Sequence, residues 1–147
     1  MSTSSLSPDA PHAVSRRHVT LAGARAAIAA AREHAQREGV RVSVAVVDRS
    51  GELVAFERDD DAAPVTPQVA QEKARTAALL RAPSKLFEDF INGGRPSFLS
   101  TPGLTPLQGG VPLTAGDEVI GAVGVSGGNG EQDTDIAVAA AAALHFD

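Results

Sequence analysis

A single glycine-rich segment, residues 109–133, constrains the fold of this chain more than any other feature. The segment GGVPLTAGDEVIGAVGVSGGNGEQD contains eight of the 14 glycines in the 147-residue sequence. Glycine gives the backbone conformations that other residues rarely adopt, and it lets another backbone or a ligand approach closely. Three structures would use this freedom: a phosphate-binding loop, a serine nucleophile elbow, or a tight hairpin that something packs against.

Motifs within the segment distinguish among these three structures. It contains neither the GxxxxGK nor the GxGxxG pattern of phosphate-binding loops. GVSGG matches the G-x-S-x-G nucleophile elbow, with Ser126 in the nucleophile position. An elbow, however, belongs to a long α/β-hydrolase chain with a histidine downstream, and His145 is the only histidine after Ser126. The segment is therefore interpreted as a hairpin, and Ser126 is kept as a candidate catalytic residue.

The second strand of this hairpin, residues 118–126, is predicted to lie in the centre of a sheet. Alternation places two sets of apolar or small residues on opposite faces: Val119, Gly121, Val123 and Val125 on one, and Ile120, Ala122 and Gly124 on the other. A strand of this kind is covered on both faces. Gly121 and Gly124 then leave room either for a packed helix or for a flat ligand.

The other elements predict an α+β fold. In chain order the patterns give a helix from Thr20 to about Glu38, strands 41–48 and 52–58, a helix from Pro67 to about Arg81 capped by Thr66, a helix 84–92, an irregular segment 93–108, the hairpin of strands 111–115 and 118–126, and a helix from about 132 to 144. Two hairpins make a central antiparallel sheet, and helices must flank it. We expect a single domain, 18–147, after a flexible Ser/Pro-rich tail, 1–17.

Composition excludes several classes of function. Cysteine is absent and the formal charge is −5, so the chain has no disulfide and lacks the basic stripe that binds nucleic acid. No apolar run reaches the ~18 residues of a membrane span, so neither nucleic acid nor a membrane is expected as a partner. Arg16 and Arg17 precede an apolar run, as in a twin-arginine export signal. Arg25 and Arg32 interrupt that run, and we therefore expect a cytoplasmic protein.

One lysine lies on the apolar face of a predicted helix. At about 100° per residue, Lys73 falls among alanines and valine in the helix that ends near Arg81, and Thr76 lies at the edge of the same face. A buried ammonium is costly unless it is paired. Lys73 is therefore either a structural residue, snorkelling or paired with Asp48, Glu57 or Asp60, or a functional cation that meets a ligand carboxylate or acts as a base.

Other polar residues are weaker candidates for a functional site. The ERDDD run, 57–61, matches no EF-hand spacing and is interpreted as a solvated loop, so no metal site is predicted. The four histidines, His12, His18, His34 and His145, contain no i, i+4 ligand pair, so spacing assigns no haem axial ligand. The loop 100–110 offers Ser100, Thr101 and Thr105, since long irregular loops in compact domains are often functional.

Four stretches of this sequence resemble the GlcG/HbpS-like family, the haem-degrading domain family that includes the C-terminal domain of PduO-type proteins. They are VSVAVVDRSGELVAFERDD, QEKARTA, LQGGVPL and EVIGAVGVSGGNGEQD, and the resemblance covers about residues 20–144 in the same order. It implies an antiparallel sheet flanked by helices, profilin- or roadblock-like in appearance, and homo-oligomers built from dimers. Because some members bind haem or other tetrapyrroles, it also implies haem as a cofactor.

The family's motif positions imply a pocket around the lysine and the glycines. The matching residues are Lys73, Thr76, Gly109, Gly110, Pro112, Gly121, Gly124, Ser126 and Gly127. The sequence departs from the family's R-M-D-G-A pattern, which is replaced by residues 58–62, RDDDA. Asp59 and Asp61 would repel haem propionates if they faced the pocket.

Three functions are compatible with these residues. The first is tetrapyrrole binding, in which Lys73 and Arg58 meet ligand carboxylates, Gly121 and Gly124 admit the flat face, and Thr101 or Thr105 supplies a hydroxyl. The second is an enzyme acting on a small carboxylate- or carbonyl-bearing metabolite, with Lys73 as base or polarising cation and Asp60 or Ser126 as its helper. The third is a non-catalytic assembly module in which Lys73 forms a buried pair.

Overall fold

The computed structural model describes residues 7–146, which form four α-helices and four strands. In chain order these are α1 (Leu21–Glu38), β1 (Ser43–Asp48), β2 (Leu53–Arg58), α2 (Thr66–Leu80), α3 (Lys85–Asn92), a short 3₁₀ helix (Pro96–Ser100), β3 (Gly110–Ala115), β4 (Glu118–Ser126) and α4 (Gly130–Ala142). None of the helices in this part of the chain is both long and apolar enough to cross a membrane.

The four strands form one antiparallel sheet in the order β2–β1–β4–β3. Each hairpin supplies an edge strand and a central strand, and the two central strands, β1 and β4, pair with each other. The central position follows from composition: β1 and β4 are rich in valine and buried along most of their length, whereas β2 has exposed residues at both ends. The predicted α+β class with a flanked antiparallel sheet is confirmed.

Helices cover both faces of the sheet. α1 and α4 pack on one face, where Ile28 and Ile136 join valines from β1 and β4 in the larger core cluster. α2 covers the other face, and four of its alanines form a smaller cluster with Ala45, Val47 and Ala122. Small side chains on both sides of this second interface allow the helix backbone to lie close to the sheet.

A β-bulge corrects the predicted alternation of β4. Leu113 of β3 pairs with Gly121, but the next residue, Thr114, pairs with Val119, so Ile120 has no partner in β3. An extra residue of this kind shifts the side chains before it relative to those after it. As a result Ile120 joins Val123 and Val125 in the larger core cluster, whereas strict alternation placed it on the opposite face.

Helix caps explain which predicted helix boundaries are correct and which differ from the structure. Thr20 caps α1 through the amide of Gly23, and Gly39 ends it at φ 71°, as predicted. α2 begins one residue early, with Val65 as N-cap, since the Thr66 hydroxyl instead bonds Ala63 O and Ser43 Oγ.

α4 also begins earlier than the sequence predicts. It begins at Gly130, two residues before the prediction, because Asn129 and Gln132 form a capping box.

Candidate functional site

Lys73 is buried and paired inside the protein. Its Nζ donates to Asp133 Oδ2 at 3.0 Å and to the carbonyl of Val125 at 2.9 Å, and its side chain is only 5 % exposed. The other carboxylate oxygen, Asp133 Oδ1, accepts from the amide of Gly128 at 2.8 Å. The structure thus shows the paired state, one of the alternatives left open by the sequence, but the partner is Asp133 and not Asp48, Glu57 or Asp60.

None of those three acids contacts Lys73. Asp48 Oδ1 accepts from the amides of Ser50 and Glu52 in the turn between β1 and β2. Glu57 accepts from Arg32 at 2.7 Å on the exposed side of the sheet edge. Asp60 is exposed in the loop after β2. The correct partner, Asp133, lies 60 residues from Lys73 in the chain.

Three of the glycines singled out from the sequence lie against α2. A Cβ on Gly109, whose φ is +126°, would come 2.8 Å from Lys73 Nζ, and one on Gly110 would overlap the carbonyl of Lys73. A Cβ on Gly124 would overlap the carbonyl of Ala70. The room that Gly124 leaves is therefore filled by the backbone of α2, which corrects the expectation of a flat ligand at that position.

Two hydroxyl groups fasten residues 105–110 to α2 and to the start of α3: that of Thr76, a candidate from the sequence, and that of Ser84, which was not a candidate. Thr76 Oγ1 accepts from the amide of Thr105 at 2.9 Å and donates to the carbonyl of Glu72. Ser84 Oγ accepts from Gly110 N and donates to Leu107 O. Thr101 is half-buried at the end of the 3₁₀ helix, where its amide donates to Phe98 O. These contacts hold the loop against α2 and the start of α3.

The remaining candidates do not converge on Lys73. Arg58 is exposed and its guanidinium donates to Ala62 O, while two strand spacings, roughly 10 Å, separate it from Ser126. Gly121 lies against the carbonyl of Val47 and the side chain of Val19. Ser126 and His145 lie beyond opposite ends of α4, a helix roughly 20 Å long. His145 is therefore too far from Ser126 to act as the base of a nucleophile elbow.

The acidic loop after β2 is tied to α1. Asp59 is buried; its Oδ1 accepts from Arg32 and its Oδ2 from the amide of Val42. Hydrogen bonds to Glu57 and Asp59 raise the pKa of Arg32 above its usual value. Asp59 is therefore buried against the partly exposed guanidinium of Arg32, which corrects the interpretation of 57–61 as a solvated loop at this residue. No set of three or more His, Asp and Glu residues within 7–146 is arranged to hold a metal ion.

A 690 Å³ cavity, hereafter the apolar groove, lies between the start of α1 and the residues after α4. Its apolar wall comes from Val19, Ala22, Ala26, Ala115, Ile120, Ala143, Leu144 and Phe146. His18, His145 and Arg17 also line the groove. His18 Nδ1 accepts from the amide of Arg49 at 3.4 Å and lies 3.9 Å from Asp48 Oδ2.

A second cavity of 470 Å³, hereafter the arginine pocket, adjoins the apolar groove at Arg17. Arg16, Arg17, Arg49 and Arg81 line it, together with Ser15, Asp117, Glu118 and Val119. Glu118 binds the side chain and the amide of Arg17, both at 2.9 Å, and lies 3.5 Å from Arg49 Nη1. These hydrogen bonds from Arg17 lower the pKa of Glu118 below its usual value, so it is ionised at neutral pH.

Few features of the sequence indicate these two cavities. The groove forms where residues 17–26 meet residues 143–146, and only the fold brings those ends of the domain together. His18 and His145 are far apart in the chain, and Arg16 and Arg17 resembled part of an export signal. Arg16 and Arg17 in fact precede the N-cap of α1, and no uninterrupted apolar segment of an export signal follows them.

Comparison with known proteins identifies relatives over most of the chain. The family model described as haem degrading protein HbpS-like matches residues 19–142. Protein GlcG of Escherichia coli strain K12 is 51 % identical over 103 residues, which cover 70 % of this chain and 77 % of that protein.

Two solved structures share the fold. The crystal structure of HbpS superposes with a TM-score of 0.86 at 36 % identity and covers 92 % of this chain and 96 % of that one. The crystal structure of a PduOC:heme complex superposes with a TM-score of 0.78 at 32 % identity and covers 86 % and 95 % of the two chains. This chain therefore belongs to the HbpS-like family.

Proposed function

We propose that this protein binds haem or a related tetrapyrrole in the apolar groove. The observation that carries the proposal is the lining of the groove, which combines an apolar wall with the imidazoles of His18 and His145. Its 690 Å³ falls within the roughly 300–1,000 Å³ of small-molecule sites, which are mostly apolar with a few placed polar groups. Haem presents a broad apolar face and an iron that histidine often binds.

His18 is suited to hold the iron. Binding iron through Nε2 requires the ring proton to lie on Nδ1, facing Asp48 Oδ2 at 3.9 Å, instead of the present arrangement in which Nδ1 accepts from the amide of Arg49. A carboxylate near the second nitrogen is the arrangement that orients metal-binding histidines in many proteins. His145, in the segment after α4, is the second candidate. Bound haem would supply a redox-active iron, while these residues would orient it and exclude water.

The family supports this proposal. A relative of the same fold is a complex with haem, and the matching family is described as haem-degrading. The proposed site differs from the one expected around Lys73, because Lys73 is buried against Asp133 and α2 fills the room at Gly124. The enzyme hypothesis with Lys73 as base gains no support from a lysine that is only 5 % exposed.

The proposal includes a homo-oligomer. α3 and the 3₁₀ helix pack against each other, with the Phe90 and Phe98 rings 5.5 Å apart, and form a surface we call the α3 arm. Large apolar side chains on this arm are 38–54 % exposed: Leu86, Phe90, Phe98 and Leu99. A cluster of this kind is typical of a protein–protein interface, and a second copy of the chain would cover it.

Haemin titration with histidine variants tests the haem site. The wild-type protein should give a saturable Soret band, and His18→Ala or His145→Ala should weaken binding about tenfold or more, since loss of a metal contact has at least this effect. His34→Ala is the matched control, because His34 also lies on the α1 side but contacts Glu38 outside the groove. Equal binding by the wild type and by a His18→Ala/His145→Ala double variant would overturn the proposed site, and no saturable binding at all would overturn the function.

A further inference from the structure

We infer that the arginine pocket binds the carboxylates of the ligand in the apolar groove, so that this protein selects tetrapyrroles with free propionates. The inference rests on the proposed function and goes beyond it by assigning the ligand's orientation and chemical class. Both cavities share the Arg17 wall. A ligand with an apolar body in the groove would therefore direct a charged edge toward the arginines.

Arg17 is held at the junction of the two cavities. Its amide and Nε both donate to Glu118, and its Nη2 donates to the carbonyl of Ala115, a residue of the groove wall. The guanidinium is consequently fixed where the apolar lining ends. A carboxylate leaving the groove at this point meets a cation that is already oriented, which reduces the entropic cost of forming the contact.

The arginine pocket carries an excess of positive charge. Four guanidinium groups line it against two carboxylates, those of Asp117 and Glu118. Glu118 is shared between Arg17 and Arg49, whereas Arg16 and Arg81 form no salt bridge with any residue of 7–146. Guanidinium groups bind carboxylates in a bidentate manner, so a ligand with two carboxylates on one edge matches the surplus in number and in chemistry.

Two further features point to a missing anionic partner. Arg49 Nη1 is buried and forms no hydrogen bond within the described residues, because Glu118 Oε2, its nearest carboxylate oxygen, lies 3.5 Å away and already binds Arg17; buried donors are normally satisfied. Arg81 is the one non-glycine residue of 7–146 with a positive φ, 53°, at the C-cap of α2. Glycine or asparagine is usual at such a cap, so an arginine there places a cation at the pocket at a cost in backbone strain.

The test compares haemin with its dimethyl ester, which has the same iron and macrocycle but no free carboxylate. Affinities of both ligands would be measured by Soret titration for the wild type, Arg81→Gly and Arg49→Gln, with Arg95→Gln as control. Arg81→Gly removes the charge and relieves the positive φ, so loss of folding cannot explain a loss of binding. Arg95 lies over the Phe90 ring on the α3 arm, outside both cavities.

We expect haemin to bind the wild type more tightly than the ester, and each pocket variant to weaken haemin binding about fivefold while leaving ester binding unchanged. The difference between the two ligands should also shrink as salt concentration rises. Equal affinity of the wild type for haemin and ester, or equal weakening of both by the variants, would overturn the inference while leaving haem binding intact. Failure of both ligands to bind the wild type would instead overturn the proposed function.

Discussion

Lys73 Nζ lies 3.0 Å from Asp133 Oδ2, and this pair joins the two helical layers of the protein. Lys73 belongs to α2 on one face of the sheet, and Asp133 to the first turn of α4, which packs on the other face. The carbonyl of Val125, near the end of β4, accepts from the same ammonium. Since both side chains are almost fully buried, each group depends on the other for its compensation.

Removing one member of this pair should destabilise the protein strongly. Lys73→Met leaves the buried carboxylate of Asp133 without its cation, and we expect the free energy of unfolding to fall by about 3–5 kcal/mol. The double variant Lys73→Met/Asp133→Leu should recover much of this loss, because no isolated charge then remains. Urea denaturation followed by circular dichroism measures both values.

The same variant distinguishes a structural from a ligand-binding lysine. If the haem site is the apolar groove, folded Lys73→Met should bind haemin with wild-type affinity. Lys85→Met is the matched surface control, since Lys85 pairs with Asp89 on the exposed side of α3, and it should change unfolding little. If Lys73→Met lowered the haemin affinity without changing the stability, Lys73 would instead belong to the binding site.

Gly124 should be intolerant of any side chain. In Gly124→Ala, the added Cβ would overlap the Ala70 carbonyl and force α2 away from the sheet, and we expect a loss of about 1–3 kcal/mol in unfolding free energy. Gly116→Ala is the control: its Cβ meets nothing within 4 Å, so its only cost is the positive φ of 61°, about 1 kcal/mol. Thermal unfolding of both variants compares them, and a Gly124→Ala protein as stable as Gly116→Ala would show that α2 can shift at little cost.

Local signals in the sequence predicted most of the fold. Thr20 and Gly39 mark both ends of α1 because capping chemistry acts within a few residues. The β4 boundaries were also correct, since Gly116-Asp117 forms the turn before them. Register was less predictable: the bulge at Ile120 depends on how β3 and β4 align, and no single strand encodes it.

The candidate site was harder to predict, for a physical reason. The sequence showed that Lys73 needed a partner, but Asp133 becomes its neighbour only when α2 and α4 meet at the end of β4. The apolar groove likewise requires the start of α1 to approach the segment after α4. Sequence patterns report local burial well, whereas the position of a cavity depends on contacts between distant residues.

Acid should release the segment around Arg17 from β4. The pKa of Glu118 is lowered chiefly by hydrogen bonds from Arg17, so this contact stabilises the native state above the usual pKa of 4.5 and is lost as pH falls through the lower folded value. The amide of Arg17, which donates to Glu118 Oε2, should therefore be protected from hydrogen exchange at pH 6 and lose protection toward pH 3. In Glu118→Gln the protection should no longer change across this range. Equal protection of the wild type at both pH values would contradict the assignment.

The exposed side chains of the α3 arm should control assembly. We expect the wild-type protein to have a mass in solution that is a multiple of the 15.0 kDa chain, because a second copy would bury Leu86 and Leu99. Leu99→Lys should lower that mass by placing a charge in the contact, which is costly to bury unpaired. Val138→Lys is the matched control, since Val138 is 51 % exposed on α4, outside the arm. Light scattering coupled to gel filtration gives the masses: a Leu99→Lys protein that keeps the wild-type mass would exclude the arm as the interface, and a fall caused by Val138→Lys would move the interface to α4.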